Sequence, residues 1–525
     1  MPGKARGRAG VWVSVALALA AGAGLRVWML GAFPQVSGDS LIYGNLAKNL
    51  LVHGQFAITD GSGALHSTLI RLPGYPLFLA LCFWLFGVDN YTAVAYVQIA
   101  LELAGCLLLA GFVRRIAPLE IGGGAAQCTL WLAALCPFTA SYAAAPMTET
   151  LTLFVIALAL WAMARFHARP GWGNALWFTF AVSVAALLRP DGALVGVALA
   201  PALAMGLRRK TPEQQPSGAE EAAGKLDSNP RLCQGTTSVV PQMQQNKRRA
   251  LAPEAVPFTR PSGLKLARMG VICVLLALVP FAAWTARNGR VFHVFEPLAT
   301  RYATDPGEDT YPGWQRWVKT WCLDFVSTYD IYWNVPGSAL DLTKLPSRAF
   351  DSPAEYAETV TLAKAYDEHG RDISPDLDAR FARLAERRVQ AHPLRFYLWL
   401  PLGRMADMWL RPRVENLPID LDWWVYAHHN DETRFSWAYA GLNAVYLLLG
   451  LAGMIWKPRF WPWMAAYMVM RSGLLMTIEG PEARYTLECF PMLFALGGIG
   501  FWGTVRRIGT RDQFFGRMKM FLLEM

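Results

Sequence analysis

Residues 11–33 read VWVSVALALAAGAGLRVWMLGAF, and this apolar run indicates the class of fold. A helix rises about 1.5 Å per residue, so roughly 20 apolar residues cross the hydrocarbon core of a bilayer. Lys4, Arg6 and Arg8 precede the run. A basic start and an apolar run also occur in secretory signals, but this run is long and no small-residue cleavage site ends it. We therefore interpret it as a retained signal anchor.

Apolar segments of this kind recur along the 525 residues, of which 54% are apolar and 17% charged. A soluble domain usually carries about 25% charged residues. The predicted spans are 11–33, 91–113, 121–140, 149–166, 173–188, 192–207, 269–286, 436–456, 460–478 and 487–505. The sequence therefore predicts an all-α polytopic membrane protein with ten spans.

The basic residues indicate the orientation of these spans. The net charge of +10 is typical of some nucleic-acid-binding proteins, but its distribution does not favour that class. Lys and Arg cluster at one set of span ends, namely at 4–8, 114–115, 165–169, 208–210, 457–459 and 506–507. Cytoplasmic loops carry this excess, so we expect both termini in the cytoplasm and no nucleic-acid partner. Segments 34–90, 141–148, 287–435 and 479–486 then lie on the outer face.

Three parts follow from this pattern. Residues 1–207 form an N-terminal membrane module with a first outer loop at 34–90. Residues 208–267 are rich in Gln, Pro, Ser and charge without apolar periodicity, and are predicted to be a disordered cytoplasmic loop. Residues 268–525 form a C-terminal membrane part that contains an outer-face region, 287–435.

Helices are also predicted outside the spans. Within the outer-face region the pattern predicts helices at 353–369 and 376–390. Two further apolar stretches, 75–86 and 396–410, are too short or too charged to cross the membrane, and crossing there would reverse the orientation of later spans. We expect them to be interfacial or re-entrant helices on the outer face.

An acid and a cation near the outer membrane boundary give the first indication of chemistry. Asp39 stands in Gly38-Asp39-Ser40-Leu41-Ile42-Tyr43, about six residues after the first span, and Arg71 begins Arg71-Leu72-Pro73-Gly74-Tyr75. An acid there can deprotonate a hydroxyl group or hold a metal ion, and a cation can stabilise a departing phosphate. The alternative is that Asp39 is an ordinary loop residue and Arg71 extends to lipid headgroups.

Further ionisable residues occur at the same level. Glu149 begins the fourth span, where an acid also complements the helix dipole. The other charged groups at outer turns are Arg189, Asp191, Arg287, Glu482 and Arg484, the last followed by Tyr485. Arg189 and Arg287 could be interfacial anchors, and Glu482 could pair with Arg484 alone. Charge at membrane depth is costly and usually faces a cavity, so we expect these groups to converge.

The order of these motifs resembles a known family. GDSxxY after the first span, RxPGYPLFLA, PxTETL, LRPDG, RN after the seventh span and ExRY before the last are similar to the GT-C membrane glycosyltransferases. The closer resemblance is to the bacterial branch related to protein O-mannosyltransferases and to the aminoarabinose transferase of lipid A. It covers most of the chain, except 208–267 and 303–390. It implies a GT-C-like helical bundle in the bacterial inner membrane with an active site on the outer face.

The resemblance also implies a reaction and roles for residues. The donor is a polyprenyl-phosphate sugar, and the acceptor is a hydroxyl group on an unidentified lipid, glycan or protein. Asp39 is the expected catalytic base, assisted by Glu149, and attack opposite the phosphate gives inversion. Donor-phosphate ligands are expected at Arg71, Arg287, Arg484 and Tyr485, and further site candidates are Tyr43, Tyr75, Arg189, Asp191 and Glu482. A divalent metal is compatible with these residues, but no ligand spacing requires one.

Two departures from the family bear on the acceptor. The first-loop motif has one acid, whereas eukaryotic protein mannosyltransferases carry an acidic pair, and no MIR-type sugar-binding domain is recognisable in the outer-face region. Both departures argue against the hypothesis that the acceptor is a protein.

Other classes of function remain open at this stage. A flippase of lipid-linked sugars is one alternative, although spans one to six carry almost no ionisable residue at their centres apart from Glu102 and show no inverted repeat. A polymer ligase with the same fold and another donor is a second alternative.

Overall fold

The computed structural model describes residues 2–34, 36, 38–208, 263–300, 302–425 and 430–524. The predicted disordered loop at 208–267 lies almost entirely outside the described residues. The helices of the N-terminal part are α1 Pro2–Ala32, α2 Asp39–His53, α3 Gly74–Phe86, α4 Tyr91–Ile116, α5 Gly122–Ala134, α6 Pro137–Ala143, α7 Thr148–Ala168, α8 Trp172–Leu188 and α9 Ala193–Arg208. Those of the C-terminal part are α10 Gly263–Val291, α11 Pro312–Lys319, α12 Pro353–Glu368, α13 Pro375–Ala391, α14 Leu400–Leu410, α15 Asn430–Ile455, α16 Trp461–Leu475 and α17 Phe490–Glu524.

Shorter elements connect these helices. Strands β1 Ala57–Thr59 and β2 Leu65–Ser67 form an antiparallel hairpin, in which Ile58 pairs with His66. Three-residue helical turns occur at Pro190–Gly192, Phe325–Ser327, Leu342–Lys344 and Ser347–Ala349, and a 3₁₀ helix at Ala483–Cys489 leads into α17. π-helical turns occur at Thr328–Tyr332 and Arg395–Trp399.

The structure confirms a helical membrane protein, although the number of long spans is lower than predicted. Six helical stretches among the described residues are long and apolar enough to cross a bilayer: Ala9–Ala32, Tyr91–Ile116, Thr148–Ala168, Ala267–Val291, Asn430–Ile455 and Ala483–Ile508. Predicted spans 173–188, 192–207 and 460–478 are occupied by helices of 17, 16 and 15 residues. Length and composition therefore support six of the ten predicted spans.

The predicted span at 121–140 is not one continuous helix. α5 ends at Ala134, and α6 begins at Pro137. Proline has no backbone N–H for the carbonyl four residues earlier, and its ring clashes with that carbonyl, so Pro137 favours a break at this point. The break leaves carbonyl groups at the end of α5 inside the bundle.

Arg26 of α1 fills this break. Its guanidinium is fully buried and donates to the carbonyl oxygens of Ala134 at 2.6 Å and Ala133 at 3.4 Å. It also binds both carboxylate oxygens of Glu102, at 2.6 and 2.8 Å. The prediction that spans one to six carry almost no ionisable residue at their centres apart from Glu102 overlooks Arg26, which lies in the first span and pairs with Glu102.

The membrane helices pack around a shared apolar core. α4 packs against α5 and α7, and α17 packs against both α5 and α15. The core thus joins helices of the predicted N-terminal and C-terminal parts. α2 packs against α3, and α10 packs against α8. These contacts bring the first outer loop, the start of α7, the end of α8 and the start of α17 to one end of the bundle.

The stretches predicted to be interfacial form short helices. α3 has 13 residues, and α14 has 11 after its π-helical turn. Trp84 is 71% exposed and Tyr397 67% exposed, and such aromatic side chains commonly sit at membrane interfaces.

The outer-face region has its own apolar core. Predicted helices 353–369 and 376–390 are present as α12 and α13. Trp317 packs on Trp314 and Phe381, with ring centroids 5.2 Å apart in each pair. Lys319 binds the Glu479 carboxylate at 3.2 Å and donates to the Thr477 carbonyl, so this region is tied to the turn before the last span.

Candidate active site

A cavity of about 810 Å³ lies at the end of the bundle where the first outer loop meets the start of α7, the end of α8 and the turn before α17. Its walls come from the start of α2, the segment after β2, the start of α7, the turn after α8 and the turn before α17. Predicted site residues in its lining are Asp39, Tyr43, Arg71, Glu149, Arg189, Glu482, Arg484 and Tyr485. Predicted site residues from five separated segments of sequence thus meet in one cavity, as their common depth predicted.

Asp39 is the first residue of α2 and lies between two arginines. Gly38 before it has φ +52°, a left-handed conformation that glycine adopts without the strain of a side chain. One carboxylate oxygen of Asp39 accepts a bond from Arg71 at 2.8 Å, and the other contacts Arg484 at 3.3 Å. The alternative that Asp39 is an ordinary loop residue is therefore wrong.

Arg71 points into the cavity rather than toward lipid headgroups. It follows β2, and the β1–β2 hairpin brings its backbone back across α2. Its guanidinium also lies 5.9 Å from the ring centroid of Tyr43. The Asp39 carboxylate and this ring together hold Arg71 at the cavity wall.

Glu149 receives two arginines from other segments. It is in the first turn of α7, and its side chain is 1% exposed. One of its oxygens lies 3.4 Å from Arg189 and 3.9 Å from Arg484. Glu149 therefore interacts with two arginines as well as with the dipole of its own helix.

Arg484 connects the two acids to the turn before the last span. Its Nε lies 2.5 Å from Glu482, and the Tyr485 hydroxyl also donates to Glu482. The guanidinium of Arg189 lies 5.1 Å from the Tyr485 ring centroid. The alternative that Glu482 and Arg484 pair only with each other is wrong, because Arg484 also contacts Asp39 and Glu149.

Behind Arg189 lies a second layer of charge that the sequence interpretation missed. Glu488 forms ion pairs with Arg189 at 3.0 Å and with Arg471 at 2.6 Å, and Arg471 also forms an ion pair with Asp191 at 3.1 Å. Arg471 and Glu488 lie inside predicted spans 460–478 and 487–505. A charged residue inside a predicted span is itself a signal of a functional or structural partner, and this signal could have identified both.

The structure does not bring Arg287, Tyr75 or Asp191 into the cavity lining. Asp191 belongs to the second layer behind Arg189. The Tyr75 hydroxyl is buried and donates to Gln98 at 2.7 Å, while its ring supports Tyr43 with centroids 5.0 Å apart.

Arg287 contacts the hairpin rather than the cavity. Its guanidinium donates to the carbonyl oxygens of Phe56 and Thr68, both at 2.8 Å, and lies 5.2 Å from the ring centroid of Trp284. The prediction that Arg287 binds a donor phosphate is therefore corrected: its donors hold the two ends of the hairpin that precedes Arg71.

The charges of the cavity affect the acidity of its groups. Burial tends to raise the pKa of Asp39, but Arg484 and Arg71 more than offset this and hold the pKa below its usual range. Burial raises the pKa of Tyr43 to about 12, so its hydroxyl is neutral near pH 7. The cavity therefore contains an ionised Asp39 and a neutral hydroxyl donor.

The carboxylates of the cavity do not fit a metal site. Among the described residues, no three His, Cys, Asp or Glu side chains are grouped so that they could hold a metal ion. Asp39, Glu149 and Glu482 each face an arginine instead. A hard divalent cation prefers several carboxylate oxygens around one point, and these carboxylates are paired with arginines instead.

Comparisons with known proteins give one sequence match and two structural alignments. A search of curated proteins gives no match. Two solved structures of ArnT from Cupriavidus metallidurans, one bound to undecaprenyl phosphate and one in the apo state, align at 16% and 14% identity. They cover 96% and 95% of this chain and 79% and 77% of theirs, with TM-scores of 0.35 and 0.34.

The sequence match is to a family model. The model of the dolichyl-phosphate-mannose-protein mannosyltransferase family matches residues 71–216, which is less than half of the chain. This segment carries Arg71, Glu149, Arg189 and Asp191. Over residues 71–216 the chain is therefore similar to the dolichyl-phosphate-mannose-protein mannosyltransferase family, which confirms for that segment the resemblance found in the sequence.

Proposed function

We propose that this protein is a membrane glycosyltransferase that moves a sugar from a polyprenyl-phosphate donor to an acceptor hydroxyl group on the outer face of the membrane. The observation that carries the proposal is the Asp39 carboxylate held between Arg71 and Arg484 at the wall of the large cavity. The match of residues 71–216 to a family named for a lipid-phosphate mannose donor supports a lipid-linked sugar.

The two arginines give the site a way to respond to the donor. In the free protein the Asp39 carboxylate forms ion pairs with the guanidinium groups of Arg71 and Arg484. The phosphodiester of the donor is an anion that forms charge-assisted hydrogen bonds with the same groups. Its arrival draws Arg71 and Arg484 toward the phosphate and weakens their hold on Asp39. Donor binding thus converts Asp39 from an ion-paired carboxylate into a stronger base.

The reaction then proceeds by direct displacement. Asp39 takes the proton of the acceptor hydroxyl as its oxygen forms a bond to the anomeric carbon of the sugar. The bond from that carbon to the phosphate oxygen breaks, and its electron pair stays on the phosphate, where Arg71 and Arg484 stabilise the charge. Attack opposite the leaving group inverts the anomeric configuration and leaves a glycoside and a polyprenyl phosphate.

Glu149 and the second layer act through these arginines. Glu149 binds both Arg189 and Arg484, and Glu488 with Arg471 fixes Arg189 from behind. Arginine N–H groups that are held in place before the reaction need to move less when charge develops on the phosphate. We assign Glu149 the role of positioning Arg484 for the phosphate.

The proposal is tested by identifying bound lipids and measuring transfer in detergent. Mass spectrometry of lipids that co-purify with the full-length protein should detect a polyprenyl phosphate or its glycosyl ester. The purified protein should then transfer radiolabelled sugar from that carrier to an added hydroxyl acceptor without a membrane to cross. Lipid binding without transfer to any acceptor would instead favour a flippase.

The dependence of the rate on pH tests whether the donor releases Asp39. Because Arg484 and Arg71 lower the pKa of Asp39, kcat/KM, which reports the free protein, should hold to a lower pH than the usual pKa of an aspartate would allow. With donor bound, the weaker pairing raises the pKa of Asp39, so protonation inactivates the complex at a higher pH. The acid limb of kcat should therefore lie above that of kcat/KM. Coincident or reversed limbs would contradict release by the donor.

Arg287 is expected to act as a positioning residue for Arg71. Replacing it in Arg287→Ala removes two charge-assisted hydrogen bonds that hold the hairpin, and a displaced Arg71 binds the phosphate less well. We expect kcat/KM for the donor to fall about tenfold, chiefly through KM, since a misplaced site group can cost up to about 100-fold. Arg290→Ala, which removes an exposed arginine of the same helix, is the matched control. A purely structural role would lower thermal stability and leave the KM of the folded fraction unchanged.

A further inference from the structure

A second cavity of about 280 Å³ lies in the outer-face region, and it shares no lining residue with the large cavity. It is formed between the segment that contains Phe325 and Tyr329 and the segment 411–423, which follows α14. Its walls combine aromatic side chains with charge. The lining includes Phe325, Tyr329, Arg411, Glu415 and Trp423.

Three of these side chains carry buried polar atoms that have no hydrogen-bond partner among the described residues. They are Nε of Arg411, Oε1 of Glu415 and the indole nitrogen of Trp423. An unpaired buried polar atom costs about 1–3 kcal/mol, and native proteins have few of them. Two donors and one acceptor of this kind thus lie around one cavity, and a polar ligand there could complete their bonding.

An aromatic path connects this cavity to the large one. The ring centroid of Trp333, which lines the large cavity, lies 5.7 Å from Phe325 and 5.7 Å from Tyr329. Tyr329 and Trp333 are each 47% exposed. Two half-exposed aromatic side chains thus form a surface that runs from one cavity to the other.

The backbone also places the two cavities side by side. A Cβ atom at Gly480 would lie 2.8 Å from the Thr328 side chain and 3.0 Å from the Tyr332 ring. The turn that presents Glu482 and Arg484 to the large cavity therefore packs directly on the turn that carries Tyr329.

These groups match the chemistry of a sugar ring. The C–H face of a pyranose is apolar and packs on an aromatic ring, while its hydroxyl groups both donate and accept. Glu415 can accept from one hydroxyl, and Arg411 and Trp423 can donate to others. A phosphate would be repelled by Glu415, and an apolar acyl chain would leave all three polar atoms unpaired. The combination favours a neutral carbohydrate.

We propose that the second cavity binds a sugar residue of the acceptor, so that the acceptor of this protein is a glycan or the glycan headgroup of a lipid. This inference rests on the proposed glycosyltransferase function. The bound sugar residue lies in the Glu415 cavity, and the attacking hydroxyl group of the acceptor reaches the large cavity past Trp333. The aromatic surface of Tyr329 and Trp333 orients the acceptor between the two.

The test is saturation-transfer NMR on the full-length protein with methyl glycosides of glucose, galactose, mannose and N-acetylglucosamine as probes. An amine-oxide detergent is required, because the headgroup of a maltoside detergent would compete for the site. At least one glycoside should receive saturation, and its affinity should fall about tenfold in Glu415→Gln and in Tyr329→Ala, as expected from the loss of about 1.4 kcal/mol.

Tyr356→Ala is the matched control, because Tyr356 is also 47% exposed but lies on α12 outside both cavities. Absence of saturation with every glycoside, or equal losses in the control, would overturn the proposal. Saturation of a serine- and threonine-containing hexapeptide in place of the glycosides would overturn it in favour of a peptide acceptor.

A second measurement separates this inference from the proposed function. Binding of polyprenyl phosphate should be lost in Arg71→Ala, whereas the glycoside signal should persist in the same variant. If the wild-type protein binds glycosides but not polyprenyl phosphate, the acceptor role is overturned and the proposed function fails with it. If it binds polyprenyl phosphate but not glycosides, only the acceptor inference fails.

Discussion

Asp39→Asn is expected to lower the turnover number by at least about 100-fold and to leave the protein folded. General-base catalysis typically contributes about 10²–10⁴-fold, and an amide cannot accept the proton of the acceptor hydroxyl. The substitution also frees Arg71 and Arg484 from a competing carboxylate, so the KM for the donor should stay constant or fall. Loss of kcat without a rise in KM distinguishes a base from a residue that only maintains the cavity.

The control for this variant is Asp89→Asn in the same outer loop. Asp89 pairs with Lys48 at 2.8 Å, but its side chain is 46% exposed, and an exposed ion pair contributes about 0–1 kcal/mol. The control should keep both the turnover number and the unfolding temperature. Steady-state transfer of radiolabelled sugar, measured on monodisperse protein, provides the comparison. Near-wild-type turnover in Asp39→Asn would remove Asp39 as the base and require another acceptor for the proton.

The convergence of charged residues around Asp39 was predictable because the positions of the spans indicate the depth of each residue in the membrane. The spans and the basic clusters put Asp39, Arg71, Glu149 and Arg484 at the same level. Charged groups at one level in a bundle lower their free energy by facing one another, and the structure shows that they do. The sequence could therefore predict this convergence without a contact map.

The direction in which a side chain points around the bundle axis was not predictable from the depth of the residue. Arg287 lies at the expected level but points to the hairpin carbonyls of Phe56 and Thr68. Its direction depends on how α10 packs against α8 and on the path of the first outer loop, and these are properties of the folded chain. Tyr75 differs for the same reason, because the face of α3 that carries it packs inward and its hydroxyl reaches Gln98.

Arg471, Glu488 and Arg26 escape the prediction because each lies in an otherwise apolar run. A single charged residue changes the average of a 20-residue window very little, yet its burial requires a partner. Arg471 and Glu488 are partners of each other, as are Arg26 and Glu102. Searching predicted spans for complementary charges would have found both pairs and would have joined the last two spans to Arg189.

Arg26→Met is expected to destabilise the protein by about 3–5 kcal/mol, the usual cost of removing one partner of a buried ion pair. The variant leaves the Glu102 carboxylate without its cation and the Ala134 carbonyl without the bond from Arg26, whereas the Cys136 N–H still donates to the Ala133 carbonyl. The measurement is the fraction of protein that remains monodisperse in detergent over a thermal or denaturant series. Arg114→Met, which removes an exposed arginine from the helix of Glu102, should change stability by no more than about 0.5 kcal/mol.

The double variant Arg26→Met, Glu102→Met separates two functions of Arg26, the ion pair with Glu102 and the hydrogen bond to the end of α5. Replacing both members of a buried ion pair with apolar side chains is often neutral or stabilising, so the electrostatic part of the loss should be recovered. The Ala134 carbonyl at the break between α5 and α6 still lacks the donor that Arg26 supplies, and an unpaired buried group costs about 1–3 kcal/mol. We therefore expect stability between that of Arg26→Met and that of the wild type. Full recovery would show that the break needs no cap, and no recovery would show that the ion pair contributes nothing beyond the cap.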